Sequence, residues 1–233
     1  IDFIASFGVE FRFGVPADIG PDRFTEEGYG FICLAVGAEK EKEFTLPGGN
    51  GHIIGALEML RQYNRDPKNL GLGGKAAVVG GGNTAMDSAR AAMSLESVEK
   101  VTVLYRRAKK QMPADLEEYE NAVKDGVEFR FLRNPESLAA DGSLEVRVMK
   151  LGEKDASGRE RPEKTDETET LRIDHIITAI GEHVDTDALK AFGIPLGEDG
   201  WPVVNGETLE TQAENVYLGG DAQTGPSTVV QCI

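Results

Sequence analysis

Apolar residues in this chain come in two spacings. Short unbroken or alternating runs read as strands, and recurrences at roughly every third or fourth position read as helices. The runs are GVEFRF (8–13), YGFICLAVGA (29–38), AAVV (76–79), KVTVLYRR (100–107), VEFRFL (127–132), LEVRVMKLG (144–152) and ETLRIDHIITAIG (169–181). Helical spacing covers IIGALEMLRQY (53–63), NTAMDSARAAMSL (83–95), MPADLEEYENAVKDG (112–126) and DTDALKAFG (185–193), while DRFTEE (22–27) reads as a polar turn or helix. Pro113 stands near the start of the third of these helices and Gly126 at its end, the asymmetry that helix capping predicts.

Strand, helix and strand over 76–107 make a βαβ unit of roughly the usual 30 residues. Runs as unbroken as AAVV and ICLAV suit parallel strands buried on both faces. The pattern therefore predicts an α/β fold. The charged stretch EKEKEFTLPGGN (39–50), broken by Pro47-Gly48-Gly49, reads as a crossing between domains. EKDASGRERPEKTDETE (153–169) reads as a charged hairpin arm, most simply a solvated loop. The tail continues with an extended GWPVVN (200–205) and NVYLGGDAQTGPSTVV (215–230).

At 233 residues the chain can bury a sizeable core, as one large domain or two modest ones. Its 28 glycines against 10 prolines fit the α/β reading. The 25 Lys and Arg against 40 Asp and Glu give a net charge of −15, a field that repels polyanions and argues against a nucleic-acid partner. Any anion it binds must be captured locally. No run approaches the roughly 20 apolar residues of a bilayer span, and no signal peptide opens the chain. Cys33 and Cys232 form no CxxC pair and read as reduced core thiols, which suits a cytoplasmic protein. His52, His175 and His183 lack metal-ligand spacing, so no metal is expected. The start at Ile1 and the stop within an apparent helix read as a fragment.

The chemistry centres on KAAVVGGGNTAMDSAR (75–90). A glycine-rich turn alone is weak evidence. Here Gly80-x-Gly82-x-x-Ala85 follows a strand, opens a helix and lies within a βαβ unit, the context in which such a turn binds a dinucleotide. Gly80 permits the tight turn, Gly82 lets the backbone approach a pyrophosphate, and Ala85 allows close helix–strand packing. Gly81, Asn83 and Thr84 complete the loop and the helix N-terminus, whose free N–H groups carry about +0.5 charge. The rival reading is a plain turn.

The end of the second strand decides which dinucleotide fits. A site for NAD carries an acidic residue there, and a 2′-phosphate needs cations. This strand ends LYRRAKK, with Arg106 and Arg107 followed by Lys109 and Lys110. Guanidinium forks bond phosphate with charge-assisted bonds of about 1.5–3 kcal/mol each. The expected cofactor is NADPH. The alternative is a solvated basic loop.

VVGGGNTAMD, VTVLYRR, QMPA, ITAIG and VYLGGDAQTGPSTVV, in that order, resemble the small (β) subunit of NADPH-dependent glutamate synthase and its relatives. Those relatives include the N-terminal flavoprotein part of dihydropyrimidine dehydrogenase and selenate reductase flavoprotein subunits, the last being the nearest likeness. The resemblance implies a Rossmann-like NADPH-binding domain, 45–181, nested in an incomplete FAD-binding domain formed by 1–44 and 182–233. It also implies that Ala179, Ile180 and Gly181 belong to a crossover strand, and that Asp221, with Gly220 beside it, contacts the FAD ribityl chain. In relatives the Met112-Pro113 loop lies near the cofactor, and Asn83 stands where many carry Asp.

On the same resemblance, the intact enzyme passes a hydride from NADPH to FAD, and electrons go on to iron–sulfur centres and a terminal reductase site. The family's FAD fingerprint and cluster-binding cysteines would precede Ile1. The isolated fragment is therefore expected to be inactive, with partners in the rest of the polypeptide and a larger reductase subunit. Two rivals remain: a non-catalytic nucleotide-binding or docking module, and a thioredoxin reductase-like enzyme, disfavoured for want of a CxxC.

Overall fold

The computed structural model describes residues 1–15, 20–48, 52–154, 158–227 and 230. Gly49 of the expected crossing, residues 155–157 of the charged arm and Cys232 lie outside the described residues.

The chain divides into two compact units, Ile1–Lys40 with His183–Ile233, and Glu41–Glu182. The first unit opens with helices α1 (Asp2–Ala5) and α2 (Pro21–Glu26) and strand β1 (Ile32–Leu34). A short strand, β2 (Lys40–Glu41), marks the passage into the second unit, which contains β3 (Ile53–Gly55), α3 (Ala56–Arg65), β4 (Gly74–Gly80), α4 (Asn83–Met93), β5 (Val98–Tyr105), α5 (Leu116–Lys124), β6 (Glu128–Phe131), β7 (Arg133–Leu138), β8 (Ser143–Lys154), β9 (Glu160–Arg172) and β10 (His175–Ala179). After β11 (Glu182–His183) the first unit resumes with α6 (Thr186–Ala191), β12 (Val216–Leu218) and α7 (Asp221–Thr224).

The predicted α/β fold is present. In the second unit five strands, in the order β3-β10-β4-β5-β6, form a parallel sheet. Period-two alternation in β4 sends Ala76 and Val78 to one face and Ala77 and Val79 to the other. The first face packs against Met59 of α3, Met86 and Ala89 of α4 and Ala122 of α5. The second face packs against Leu138, Leu144 and Val146 of a separate sheet. That sheet is antiparallel, in the order β7-β8-β9. Each fully buried Val, Leu or Met side chain contributes about 1.5–3 kcal/mol, so the parallel sheet is fixed from both faces.

The antiparallel sheet departs from the sequence reading. Glu160–Arg172, expected largely as a solvated loop, is a strand paired to β8, with Met149 opposite Lys164 and Lys150 opposite Glu163. Cross-strand charge pairs explain the difference. Arg147 donates to Glu136 Oε2 from Nε at 3.0 Å and from Nη2 at 2.6 Å, and Lys164 Nζ lies 2.5 Å from Glu136 Oε1. Arg130 and Arg133 both meet Glu169 Oε1, at 3.3 and 2.8 Å. Charges of the stretch that looks loop-like in sequence, Lys164 and Glu169, are thus paired with groups on other strands.

Other boundaries also move. Ile53 and Ile54, read as helical, form β3, and α3 starts at Ala56, where Glu41 Oε1 accepts a hydrogen bond from Leu57 N–H at 2.8 Å. A carboxylate at a helix N-terminus complements its dipole. The single expected strand 169–181 divides at Ile173 and Asp174, where Asp174 Oδ2 accepts from Lys75 N–H at 2.8 Å.

In the first unit β1 and β12 pair in parallel over Ile32–Leu34 and Val216–Leu218. Leu34, Leu189, Phe192, Ile194, Val216 and Leu218 form its core. Residues 8–13 form no strand: a strand needs a partner for its backbone, and Phe11 and Phe13 are exposed and stack on each other at 5.9 Å. Cys33, expected in the core, lies exposed because β1 turns that side chain away from Leu34. Among the described residues no helix is long and apolar enough to cross a membrane.

Glu136 yields a pH prediction. Its bonds to Arg147 and Lys164 hold its carboxyl at about 2, below the ordinary 4.5. A depressed folded-state pKa contributes stability above the unfolded value, and that contribution fades as the pH falls through the folded value. Glu136→Gln should therefore lower Tm by about 2–4 °C at pH 7, for a loss of about 1 kcal/mol. Melting both proteins from pH 7 downwards should show the gap closing between pH 4.5 and 2. A gap independent of pH would mean that the carboxylate's charge contributes nothing.

Candidate functional site: a glycine-lined cavity at the strand ends

Parallel strands bring their C-terminal ends to one edge, and the loops leaving that edge build the cavity. The cavity holds about 570 Å³ and lies within the second unit. One side is the end of β10, with Ala179, Ile180 and Gly181, beside Lys42 and Phe44. The middle is Gly80, Gly81, Gly82 and Thr84. The other side is the end of β5, with Tyr105, Arg106 and Arg107, joined by Arg133, Asn134 and Arg159.

Each glycine of the loop meets a different constraint. Gly80 has φ 152°, and a Cβ there would lie 2.2 Å from the Ala179 carbonyl oxygen, its register partner in β10. Gly81 gives room to the Tyr105 ring, which a Cβ would meet at 2.6 Å. At Gly82 a Cβ would meet nothing within 4 Å, so the backbone here faces open space. Gly82 is the N-cap of α4 and no side chain caps that helix. Its first N–H groups and the positive end of its dipole are therefore available to an anion. Ala85 is fully buried one turn on, in the core with Val78 and Val103.

The neighbouring loop is fastened to this turn. Ala114 N–H donates to Gly81 O at 3.0 Å, and the Asn83 amide bonds reciprocally to Asp115, to its carboxylate and from its N–H, at 2.9 Å each. Pro113 thereby lines the cavity. The Asn83 side chain is committed to this loop and does not line the cavity.

The two arginines after β5 differ. Arg106 is exposed, whereas Arg107 is only 8% exposed and donates from Nε to the Glu160 carbonyl at 2.9 Å. Lys110, a candidate from sequence, lies outside the cavity lining. The chain turns into a 3-10 helix over Lys109–Gln111 and leaves Lys110 exposed, while the Lys109 ammonium rests 4.0 Å from the centre of the Tyr119 ring. Lys42, Arg133, Asn134 and Arg159 were not anticipated as lining. Arg133 follows the end of a predicted strand and could have been found by the logic that found Arg106. Arg159 had no such signal, because its segment read as a loop.

Gly220 and Asp221 lie in the first unit, just after β12. Gly220 has φ 66°, and Asp221 Oδ1 accepts from Ser227 N–H at 3.1 Å. His52 and His175 meet edge to face at 5.7 Å and do not line the cavity; burial first, then His52, pushes the His175 imidazole below its ordinary pKa. Among the described residues no cluster of His, Cys, Asp or Glu could hold a metal ion.

Over its whole length the chain is 49% identical to the YgfK protein of Escherichia coli (strain K12), covering 22% of that protein. It is 34% identical to the glutamate synthase [NADPH] small chain of Azospirillum brasilense, over 87% of this chain and 45% of that one. The chain thus spans less than half the length of either relative. Among solved structures, FprA from Mycobacterium tuberculosis in complex with NADPH superposes with a TM-score of 0.71 at 20% identity, covering 92% of this chain and 62% of that one, which shows a shared fold. The pyridine nucleotide-disulphide oxidoreductase pattern matches residues 20–233, and the chain belongs to that family.

Proposed function

We propose that this chain is the NADPH-binding part of an FAD-dependent oxidoreductase. The observation that carries the reading is the cavity itself, where an open glycine turn at an uncapped helix N-terminus continues into a cluster of cations at the end of β5. The residues present fit the cofactor. The backbone of Gly81, Gly82, Asn83 and Thr84 would hold the pyrophosphate, and Arg106 and Arg107 the 2′-phosphate. Ala179, Ile180 and Gly181, at the opposite end of the cavity, would flank the nicotinamide half. When bound, NADPH supplies a hydride to a flavin.

The NADPH-binding domain is assigned to 45–181, inside the compact unit Glu41–Glu182. Residues 1–44 and 182–233 are assigned to an FAD-binding domain, with Gly220 and Asp221 at the ribityl chain; the order of motifs shared with glutamate synthase small chains supports this. Iron–sulfur centres and a terminal reductase site are assigned to the rest of a longer polypeptide and to a larger partner subunit. The likeness to a subunit of a larger enzyme supports that assignment. The two cysteines of this chain form no CxxC, so nothing in its residues favours disulfide reduction despite the family name.

Two measurements on the full-length protein test the reading. Gly82 has φ −92° and an open Cβ position, so Gly82→Ala should fold normally, with Tm moved by less than about 3 °C. The same change should weaken NADP⁺ at least about tenfold by calorimetric titration, because the methyl group would occupy the approach of the pyrophosphate. Unchanged affinity would reduce the loop to a plain turn. Arg106→Ala with Arg107→Ala should weaken NADPH about tenfold more than NADH. Equal losses would show that these side chains do not read the 2′-phosphate.

A further inference from the structure

Three arginines from three separate segments converge on the β5 end of the cavity. Arg107 follows β5, Arg133 opens β7 and Arg159 precedes β9. The backbone ties them together. Leu132 N–H donates to Arg107 O at 3.1 Å, and Arg107 Nε donates to Glu160 O at 2.9 Å. Arg107 is thus clamped between the immediate neighbours of Arg133 and Arg159. The Gln111 side-chain amide also bonds the Glu160 carboxylate, and Tyr105 Oη donates to Gln111 O at 2.7 Å, which fixes the start of β9 to the loop after β5.

Leu132 shows how Arg133 reaches this place. It alone separates β6 from β7 and has φ 55°, a left-handed conformation unfavourable for a bulky L-residue. Its N–H to Arg107 and its carbonyl, which accepts from Met149 N–H at 2.9 Å, hold it there. The kink ends the parallel sheet, starts the antiparallel one and brings Arg133 to the cavity edge. Glu169 holds Arg133 Nε at 2.8 Å, which fixes the guanidinium plane and partly offsets its charge. In a chain of net charge −15, the cavity collects Lys42 and four arginines against one lining carboxylate, Glu182.

We propose that Arg133, which opens β7, and Arg159, just before β9, are further specificity-determining residues that grip the cofactor's 2′-phosphate together with Arg107. The inference rests on the nucleotide reading above. On this view the antiparallel sheet, besides covering the second face of the core, forms one wall of the 2′-phosphate site. Arg107 both orients the wall through its backbone and Nε and contributes charge to it. Specificity for the phosphorylated ribose is shared between the turn after β5 and the starts of β7 and β9, not confined to that turn.

The test uses the full-length protein, with adenosine 2′,5′-bisphosphate and 5′-AMP as calorimetric probes. Arg159 is exposed, so Arg159→Ala should leave the protein folded, with Tm recorded alongside, and it is the deciding variant. It should weaken the bisphosphate about tenfold and 5′-AMP less than about twofold, with partial recovery in Arg159→Lys. Arg133→Ala should act in the same direction, with Tm recorded because Glu169 loses a partner. Equal loss for both probes, or no loss for either in Arg159→Ala, overturns the proposal while leaving the nucleotide site intact. Failure of the unmodified protein to bind either probe overturns the nucleotide reading, and the proposal with it.

Discussion

The approach of Gly80 to the end of β10 constrains everything near the cavity. Parallel pairing sets Ala179 beside Gly80, and the Ala179 carbonyl oxygen occupies the space that any side chain at position 80 would need. This contact fixes where β4 stops, where α4 begins, and which backbone N–H groups face the cavity. Tyr105 makes a similar demand from the other side: its ring lies against Gly81 while its hydroxyl donates to Gln111. The glycines are therefore required first by protein–protein packing on two flanks, and only Gly82 opens onto free space.

The second constraint is the cover on each face of the parallel sheet. Helices α3, α4 and α5 bury one face through small side chains and methionines, which allow close approach. The antiparallel sheet buries the other through Leu138, Leu144 and Val146. A sheet used as cover has an edge and a hairpin arm, and both carry charge into the neighbourhood of the cavity.

The glycine turn, β5 and the basic strand end were legible in the sequence because local chemistry specifies them: an unbroken apolar run, a turn with no room for a side chain at Gly80 and Gly81, and a helix of small residues. The antiparallel sheet was legible only in part. β9 carries glutamates at Glu160, Glu163, Glu167 and Glu169 that resemble a solvated loop when read alone, and the cationic partners of two of them, Lys150 for Glu163 and Arg130 with Arg133 for Glu169, lie on other strands. Information of that kind is held in pairs and appears only once the register is known. GVEFRF failed in the opposite sense: its composition suits a strand, yet a strand exists only with a neighbour to bond. Ile53 and Ile54 fit both a strand and the helix that follows, and periodicity alone could not divide them.

Lys42 N–H donates to Gly181 O at 3.1 Å, so the second unit begins and ends at neighbouring points. A segment whose ends meet can be spliced into the chain of another fold as though it were a surface loop, because closing it asks little of the host backbone. Every residue lining the cavity falls within that unit, Glu41–Glu182. The cavity, with its cations and its glycine turn, is thus carried whole by one segment that closes on itself.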